Sequence, residues 1–180
     1  MRIFKGGSRL LLRVCAFGAG LSLAGVFVII FVNSLRRYSV GKSFEWGEEL
    51  PIYLAIYGIM FGTALAYLQD RHIRFTILLD FFSERGRQIF FAASDLAVAT
   101  VGAMLSYSGY LFVLRRGQVE APGLIGRVRT LADTSGQLWI EGFGHMAFWQ
   151  FAMILGGALL GVAALFKFAE RLSALTSADA

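Results

Sequence analysis

Residues 14–35 of the chain read VCAFGAGLSLAGVFVIIFVNSL and contain no charged side chain. The hydrocarbon core of a bilayer is about 30 Å thick, and a helix needs about 20 consecutive apolar residues to cross it. This stretch is long enough to do so, and three more segments share its character. The sequence therefore predicts four transmembrane helices, at residues 14–35, 50–69, 89–114 and 146–166.

The composition of the whole chain agrees with a membrane protein. Of its 180 residues, 57% are hydrophobic and 16% are charged, and the mean hydropathy is +0.64, whereas an average soluble domain is about 25% charged. This argues against a soluble enzyme or a soluble binding domain. A β-barrel would need alternating segments of about 10 residues, and the apolar runs do not alternate. We expect an all-α integral membrane protein, with residues 1–180 forming a single membrane domain.

The basic residues predict the orientation of the chain. Arg2, Lys5, Arg9 and Arg13 precede the first span, which is longer than the apolar core of a cleaved signal peptide, so we interpret it as an uncleaved signal-anchor. The side that holds both termini and the second loop carries ten Lys and Arg residues, and the other side carries seven. By the positive-inside rule, the N and C termini are cytoplasmic.

Small residues recur at four-residue spacing along three of the spans. Such faces let helix backbones approach closely in lipid. They can serve packing within this chain or contact with a partner subunit, or reflect the general abundance of Gly and Ala in membrane helices. The residues are Ala16, Gly20 and Ala24 in the first span, Gly58 and Gly62 in the second, and Gly157 and Gly161 in the fourth.

Aromatic residues lie near the predicted ends of the spans. Trp and Tyr favour the boundary between lipid and water, so we expect these side chains to anchor the protein in membrane lipid. They are Phe44, Trp46, Tyr53, Trp139, Phe143 and Trp149.

The connection 115–145 is long for a simple turn. Leu124, Val128 and Leu131 recur at helical spacing, and Arg127 and Arg129 lie on other faces. The pattern is compatible with a short helix lying on the membrane surface or with a solvated loop.

The chain lacks recognisable catalytic chemistry. Its one cysteine, Cys15, excludes an internal disulfide and a multi-cysteine metal site. His72 and His145, the two histidines, fall on opposite predicted sides of the membrane and cannot share a metal. We expect no catalytic residue, metal site or cofactor. We also expect no nucleic-acid partner, because the charges cluster between long uncharged runs.

Asp95 is the one charged residue inside a predicted span. An ionisable group within a membrane is costly and often functional. Asp95 is either an intramembrane polar contact or a headgroup-layer residue near the start of the third helix, where the helix dipole favours a carboxylate. Because it is isolated, we expect Asp95→Asn to weaken assembly modestly without changing ion dependence.

The densest polar cluster flanks the second span. Arg36 and Arg37 face Glu45, Glu48 and Glu49 across a short connection. Carboxylates at a helix start suit its dipole, but crowding of both charges predicts ion pairs that hold span one against span two. Reversing Arg36 or Arg37 together with Glu48 should then rescue the single variants.

At this cluster the chain resembles the small, Q-type membrane subunit of TRAP (tripartite ATP-independent periplasmic) transporters. The resemblance covers about residues 30–80, whereas the basic connection before Trp139 is longer than is usual in that family. The matching residues are Ser34-Leu-Arg-Arg-Tyr38, Phe44-Glu-Trp-Gly-Glu-Glu-Leu50, Tyr53, Gly58, Phe61-Gly62, Ala64 and Arg71-His72-Ile73.

The resemblance implies a multi-pass protein of the bacterial inner membrane. It would act as a non-catalytic scaffold for a large multi-span permease subunit, which carries the substrate and sodium sites. A periplasmic substrate-binding protein would deliver an organic acid, such as a carboxylate or a sialic acid-like compound.

Two other functions remain open on the residues alone. A stand-alone transporter or channel, acting as a homo-oligomer, would need polar residues repeated along one helical face, and the chain offers Asp95 with scattered Ser and Thr. A membrane anchor for a respiratory enzyme would need histidines inside the spans, and there are none.

Overall fold

The computed structural model describes residues 2–70 and 83–178, with side chains described within residues 6–70, 83 and 85–173. These ranges are almost entirely helical, which confirms the all-α prediction. The helices are α1 (Arg2–Val40), α2 (Trp46–Leu68), α3 (Glu84–Arg116), α4 (Pro122–Ser135), a 3-10 helix (Leu138–Gly144) and α5 (Met146–Ala178).

Four of these helices are long and apolar enough to cross a membrane, which confirms the predicted number of spans. They correspond to α1, α2, α3 and α5. The first three begin before the predicted span, and α5 begins with it at Met146. The 39 residues of α1 extend about 58 Å, at 1.5 Å per residue. The helix is therefore nearly twice as long as the hydrocarbon is thick, and charged residues continue it beyond the apolar core.

The spanning helices form an open row in the order α1, α2, α5, α3. The largest interfaces join α3 to α5 and α1 to α2, and α2 packs on α5 between these pairs. Within the described ranges, α1 and α3 share no substantial interface. The described residues therefore do not form a closed four-helix bundle, and they leave the outer sides of α1 and α3 uncovered.

A glycine seam brings α3 and α5 into backbone contact. A Cβ atom added to Gly102 would lie 2.7 Å from the Gly161 nitrogen, and one added to Gly157 would lie 2.6 Å from the Ser106 nitrogen. The Ser106 hydroxyl donates to the Ile154 carbonyl across the same seam, at 2.6 Å. The small residues Gly157 and Gly161 are thus used for packing within the chain.

The glycines of α2 differ in whether another helix of this chain packs on them. Gly58 packs on α1, where an added Cβ would lie 3.3 Å from the Ser22 Cβ. At Gly62 and at Gly20 on α1, an added Cβ would meet no atom of the described residues within 4 Å. Of the glycines that the sequence singled out, Gly62 and Gly20 therefore leave space that a partner could fill.

The connection 115–145 contains a helix, α4, which is one of the two structures that its sequence allowed. Pro122 stands in the first turn of α4, where its missing N–H costs nothing, and Gly136 ends the helix with φ 69°. The three apolar residues that carry the helical spacing do not share one environment. Leu124, Val128 and Ala132 are buried, whereas Leu131 is 59% exposed.

The helix α4 packs over the start of α2 and the start of α5. Its buried residues join a cluster around Trp149, which is 6% exposed, stacks on Tyr53 at 5.1 Å and donates its indole N–H to the Phe143 carbonyl. The prediction that Trp149 is an interfacial anchor was wrong, because its ring belongs to the core. Trp139, by contrast, is 66% exposed.

The glycine seam yields a prediction that separates two neighbouring positions. Gly157→Ala should destabilise the fold by about 1–3 kcal/mol, because the new methyl would collide with the α3 backbone. Gly161→Ala should be tolerated, since its added carbon meets its nearest atom, the Ala99 carbonyl oxygen, at an ordinary 3.6 Å. Thermal unfolding of both variants in one detergent measures the difference. Equal melting temperatures would refute the seam.

Candidate functional site

The carboxylate of Asp95 lies at the centre of an ionic network that joins three helices. Asp95 is 1% exposed, and its Oδ2 lies 2.6 Å from Nε of Arg171 on α5. Its Oδ1 accepts a hydrogen bond from the Tyr67 hydroxyl on α2. Both carboxylate oxygens therefore contact groups of the chain itself.

Asp95 does not lie at the start of its helix. The helix α3 begins at Glu84, eleven residues earlier, and Ser83 caps it by accepting from the Gly86 N–H at 3.3 Å. The helix-dipole explanation of Asp95 was therefore wrong, and the carboxylate instead makes polar contacts with α2 and α5. From Asp95 to Arg115, α3 extends about 30 Å, at 1.5 Å per residue. Asp95 thus lies one hydrocarbon thickness from the other end of its span.

A second carboxylate ties the end of α2 into the network. Asp70 has φ 54°, a left-handed conformation that Asp adopts more readily than most residues. Its side chain accepts from Lys167 Nζ at 2.5 Å and from Arg171 at 3.5 Å. Arg171 thus bridges Asp70 and Asp95, and its guanidinium lies 4.7 Å from the centre of the Phe91 ring.

Asp70, Asp95, Lys167 and Arg171 form a network that we call the clamp. Its arrangement suits a structural function more than an ion path. Lys167 and Arg171 are mostly buried and lie between the two carboxylates, so the negative charges are compensated within the chain. In the part of the chain that the structure describes, no three His, Cys, Asp or Glu side chains lie close enough to hold a metal ion. Next to the clamp lies an open depression of about 350 Å³.

The polar cluster before α2 is paired differently from the prediction. In the described ranges, neither Arg36 nor Arg37 forms an ion pair with a carboxylate. The Arg36 guanidinium instead lies 3.8 Å from the centre of the Phe44 ring, which stacks on Trp46. The predicted ion pairs do not form among the described residues, so the structure gives no support to a rescue by charge reversal with Glu48.

Asn33 organises the turn between α1 and α2. Its Oδ1 accepts the Phe44 N–H at 2.7 Å, and its amide group lies 2.7 Å from the position of a Cβ on Gly47. A side chain at Gly47 would displace this amide. The turn therefore depends on an amide and a glycine rather than on the charges around them.

Glu49 caps a helix other than its own. Its Oε2 accepts the Gly123 N–H at 3.2 Å and the Tyr53 hydroxyl at 3.4 Å. Gly123 lies in the first turn of α4, whose N-terminal residue Ala121 offers no side-chain cap. The carboxylate thus satisfies a free amide and the dipole of α4. Glu48 instead lies 3.5 Å from the Ser43 hydroxyl, its donor.

Several important residues were not singled out from the sequence. Arg171 and Lys167 entered the sequence analysis only in the count of basic residues on the side of the termini, although their four-residue spacing places them on one helical face. Asn33 and Gly47 carry a weaker signal, namely a polar residue near the end of an apolar run and a glycine before the next span. Of the predicted site residues, His72 lies outside the described residues. His145 Nδ1 lies 3.0 Å from the Glu141 carbonyl oxygen.

Comparison with known proteins identifies the class of protein. Residues 26–174 match the family model described as "Tripartite ATP-independent periplasmic transporters, DctQ component". The match covers 149 of the 180 residues, and the chain belongs to this family. The comparison with curated proteins gives no match. The chain is thus a small membrane component of a TRAP transporter, and the family is one of transporter components rather than enzymes.

The clamp predicts a specific pattern of stability loss. Asp95→Leu should destabilise the protein by about 3 kcal/mol, because Arg171 loses its buried partner. Asp95→Leu combined with Arg171→Leu should be more stable than Asp95→Leu alone, since no unpaired charge is left. Tyr67→Phe should cost only about 1 kcal/mol, the contribution of one hydrogen bond. Thermal unfolding in detergent tests all three, and an additive double variant would contradict the clamp.

The cap of α4 predicts different effects for two adjacent glutamates. Glu49→Ala should loosen α4 by about 1 kcal/mol, the usual cost of losing a helix cap. Glu48→Ala should change stability by less than about 0.5 kcal/mol, as is typical of surface positions. Hydrogen exchange at Gly123–Ile125 measures the effect. Faster exchange in both variants, or in neither, would show that Glu49 does not cap α4.

Proposed function

We propose that this protein is a non-catalytic scaffold for the large permease subunit of a sodium-coupled secondary transporter. A periplasmic substrate-binding protein supplies that transporter with an organic acid, such as a carboxylate or a sialic acid-like compound. In this proposal the chain resides in the bacterial inner membrane with both termini in the cytoplasm, and neither Asp95 nor any other of its residues binds the transported solute.

The observation that carries the proposal is the internal pairing of Asp95. A secondary transporter holds its substrate and ions near mid-membrane, with broken helices and several polar groups. Here the buried carboxylate is compensated by Arg171 and Tyr67, and it lies toward one end of its span. A carboxylate that is compensated within the chain supports a structural function.

The open row of helices also supports a scaffold. A protein that transports alone needs a central pathway enclosed by its helices. A row in which α1 and α3 share no substantial interface among the described residues encloses none by itself. Uncovered flanks on both sides of the row suit a subunit that presents a surface to a larger membrane protein.

Reconstitution tests the proposal directly. The purified chain in liposomes should take up no organic acid above the level of empty liposomes, with or without a sodium gradient. Co-reconstituted with its large subunit and loaded binding protein, it should support uptake that requires sodium. Saturable uptake by the chain alone, driven by a sodium or proton gradient, would overturn the scaffold and favour the stand-alone homo-oligomer.

The same preparation tests whether Asp95 has a role in ion coupling. Asp95→Asn in the complete transporter should lower the yield of assembled complex, because Arg171 then loses the nearer of its two carboxylate partners. The sodium concentration for half-maximal uptake should stay as in the wild type. A shifted sodium dependence in the assembled fraction would place Asp95 in the coupling mechanism.

A further inference from the structure

We propose that a groove between α1 and α2 is the site where a transmembrane helix of the partner subunit packs. The groove has a volume of about 450 Å³ and a mostly apolar lining. The inference rests on the proposed function, because it takes the large permease subunit as the partner. The partner would occupy the α1–α2 surface of the row, and its packing helix would need a hydrogen-bond acceptor.

The groove is deep at Gly18 because this residue of α1 has no side chain. The Phe61 ring of α2 packs directly on Gly18, at 2.7 Å from the position that a Cβ would occupy. On the rim, Phe17 is 72% and Leu21 62% exposed. The groove therefore lies between large exposed side chains, and another helix can pack there if it has small residues at the contact.

Two polar residues line the groove, Ser22 and Arg13, and Arg13 lies nine residues earlier on α1, before the apolar run. The side chain of Ser22 is 8% exposed. Its hydroxyl donates to no residue in the described parts of the chain. By contrast, the Thr63 and Thr100 hydroxyls donate to the carbonyl four residues earlier, at 2.8 and 3.0 Å.

The depth of Ser22 makes an unpaired hydroxyl unfavourable. Ser22 lies opposite Gly58, the thirteenth of the 23 residues of α2. This is the middle of the span, where no water is available to satisfy a polar group. A hydroxyl there gains free energy when an occupant of the groove accepts its hydrogen bond.

The hydroxyl distinguishes a helix from a lipid as the occupant. Lipid acyl chains can fill an apolar groove, but they offer no acceptor at mid-membrane. A partner helix does offer one, because small residues at a helix contact allow side chains to reach polar groups across it. We therefore assign the groove to a partner helix that carries small residues and an acceptor opposite Ser22. The open stripe of Ala16, Gly20 and Ala24 offers no such polar group.

Two leucines on α1 provide a matched test. Leu21 and Leu23 are 62% and 61% exposed, lie at nearly the same depth, and point about 160° apart around the helix because they are two residues apart. A photo-crosslinking amino acid, p-benzoyl-phenylalanine, is placed at each position in cells that also produce the large subunit and the binding protein. Leu21 should yield an adduct with the large subunit, and Leu23 should yield at least tenfold less.

The outcomes separate the groove from the proposed function. An adduct from Leu23 but not from Leu21, or adducts of equal yield, would overturn the groove while leaving the scaffold intact. Only lipid adducts from Leu21 in a purified two-subunit complex would make the groove a lipid site, which also overturns the inference. If the wild-type chain does not co-purify with the large subunit, the proposed function fails, and the inference fails with it.

A pair of hydroxyl deletions tests the role of Ser22. Ser22→Ala should leave the thermal stability of the isolated chain unchanged, because the hydroxyl has no partner in the described residues. It should weaken co-purification of the large subunit about threefold, which is the usual effect of one hydrogen bond between membrane helices. Thr100→Ala, on the exposed side of α3, is the control and should have no effect on co-purification. If both variants co-purify the same amount of the large subunit, the Ser22 hydroxyl does not contribute to the interface.

Discussion

The close approach of α3 and α5 at their glycine seam is the constraint on which the rest of the fold depends. Backbones that touch at Gly102 and Gly157 can pair in only one register, because a shift of one residue would bring a side chain against the opposite backbone. That register places Asp95 beside Arg171, two turns or more beyond the seam. A pair of buried charges is costly unless its geometry is favourable, so steric packing first has to set the distance that makes the clamp stabilising.

The two ends of the row are stabilised by different chemistry. At the end that holds the termini, Arg171 links α2, α3 and α5 through two carboxylates. At the other end, Glu49 satisfies the first turn of α4, and aromatic side chains around Trp149 bury that helix against α2 and α5. Ion pairs are the main stabilising contacts where α2 ends and where α5 continues beyond its apolar segment. Apolar packing dominates where two spans begin and a short amphipathic helix covers them.

The sequence was sufficient for the spans but not for their pairings. An uncharged run of about 20 residues predicts a membrane helix from local information alone. The partners of Asp95 and Glu49 lie on other helices, 76 and 74 residues away, so they depend on which helices become neighbours. Charges close in sequence, at Arg36 and Glu48, suggested ion pairs that do not form. The apolar spacing of α4 includes Leu131, which is exposed, whereas the small Ala132 is buried.

Exposed apolar surface means less in a membrane than in water. In each spanning helix, between 17% and 28% of the most apolar window is buried within the chain, yet lipid covers the remainder without penalty, so exposure alone does not identify a partner surface. What lipid cannot satisfy is a polar group within a span. Asp95 meets that demand inside the chain, through Arg171 and Tyr67, and so needs nothing from outside. Ser22 does not meet it within the described residues, and for this reason the α1–α2 groove, rather than the larger apolar face of α3, indicates where a partner helix packs.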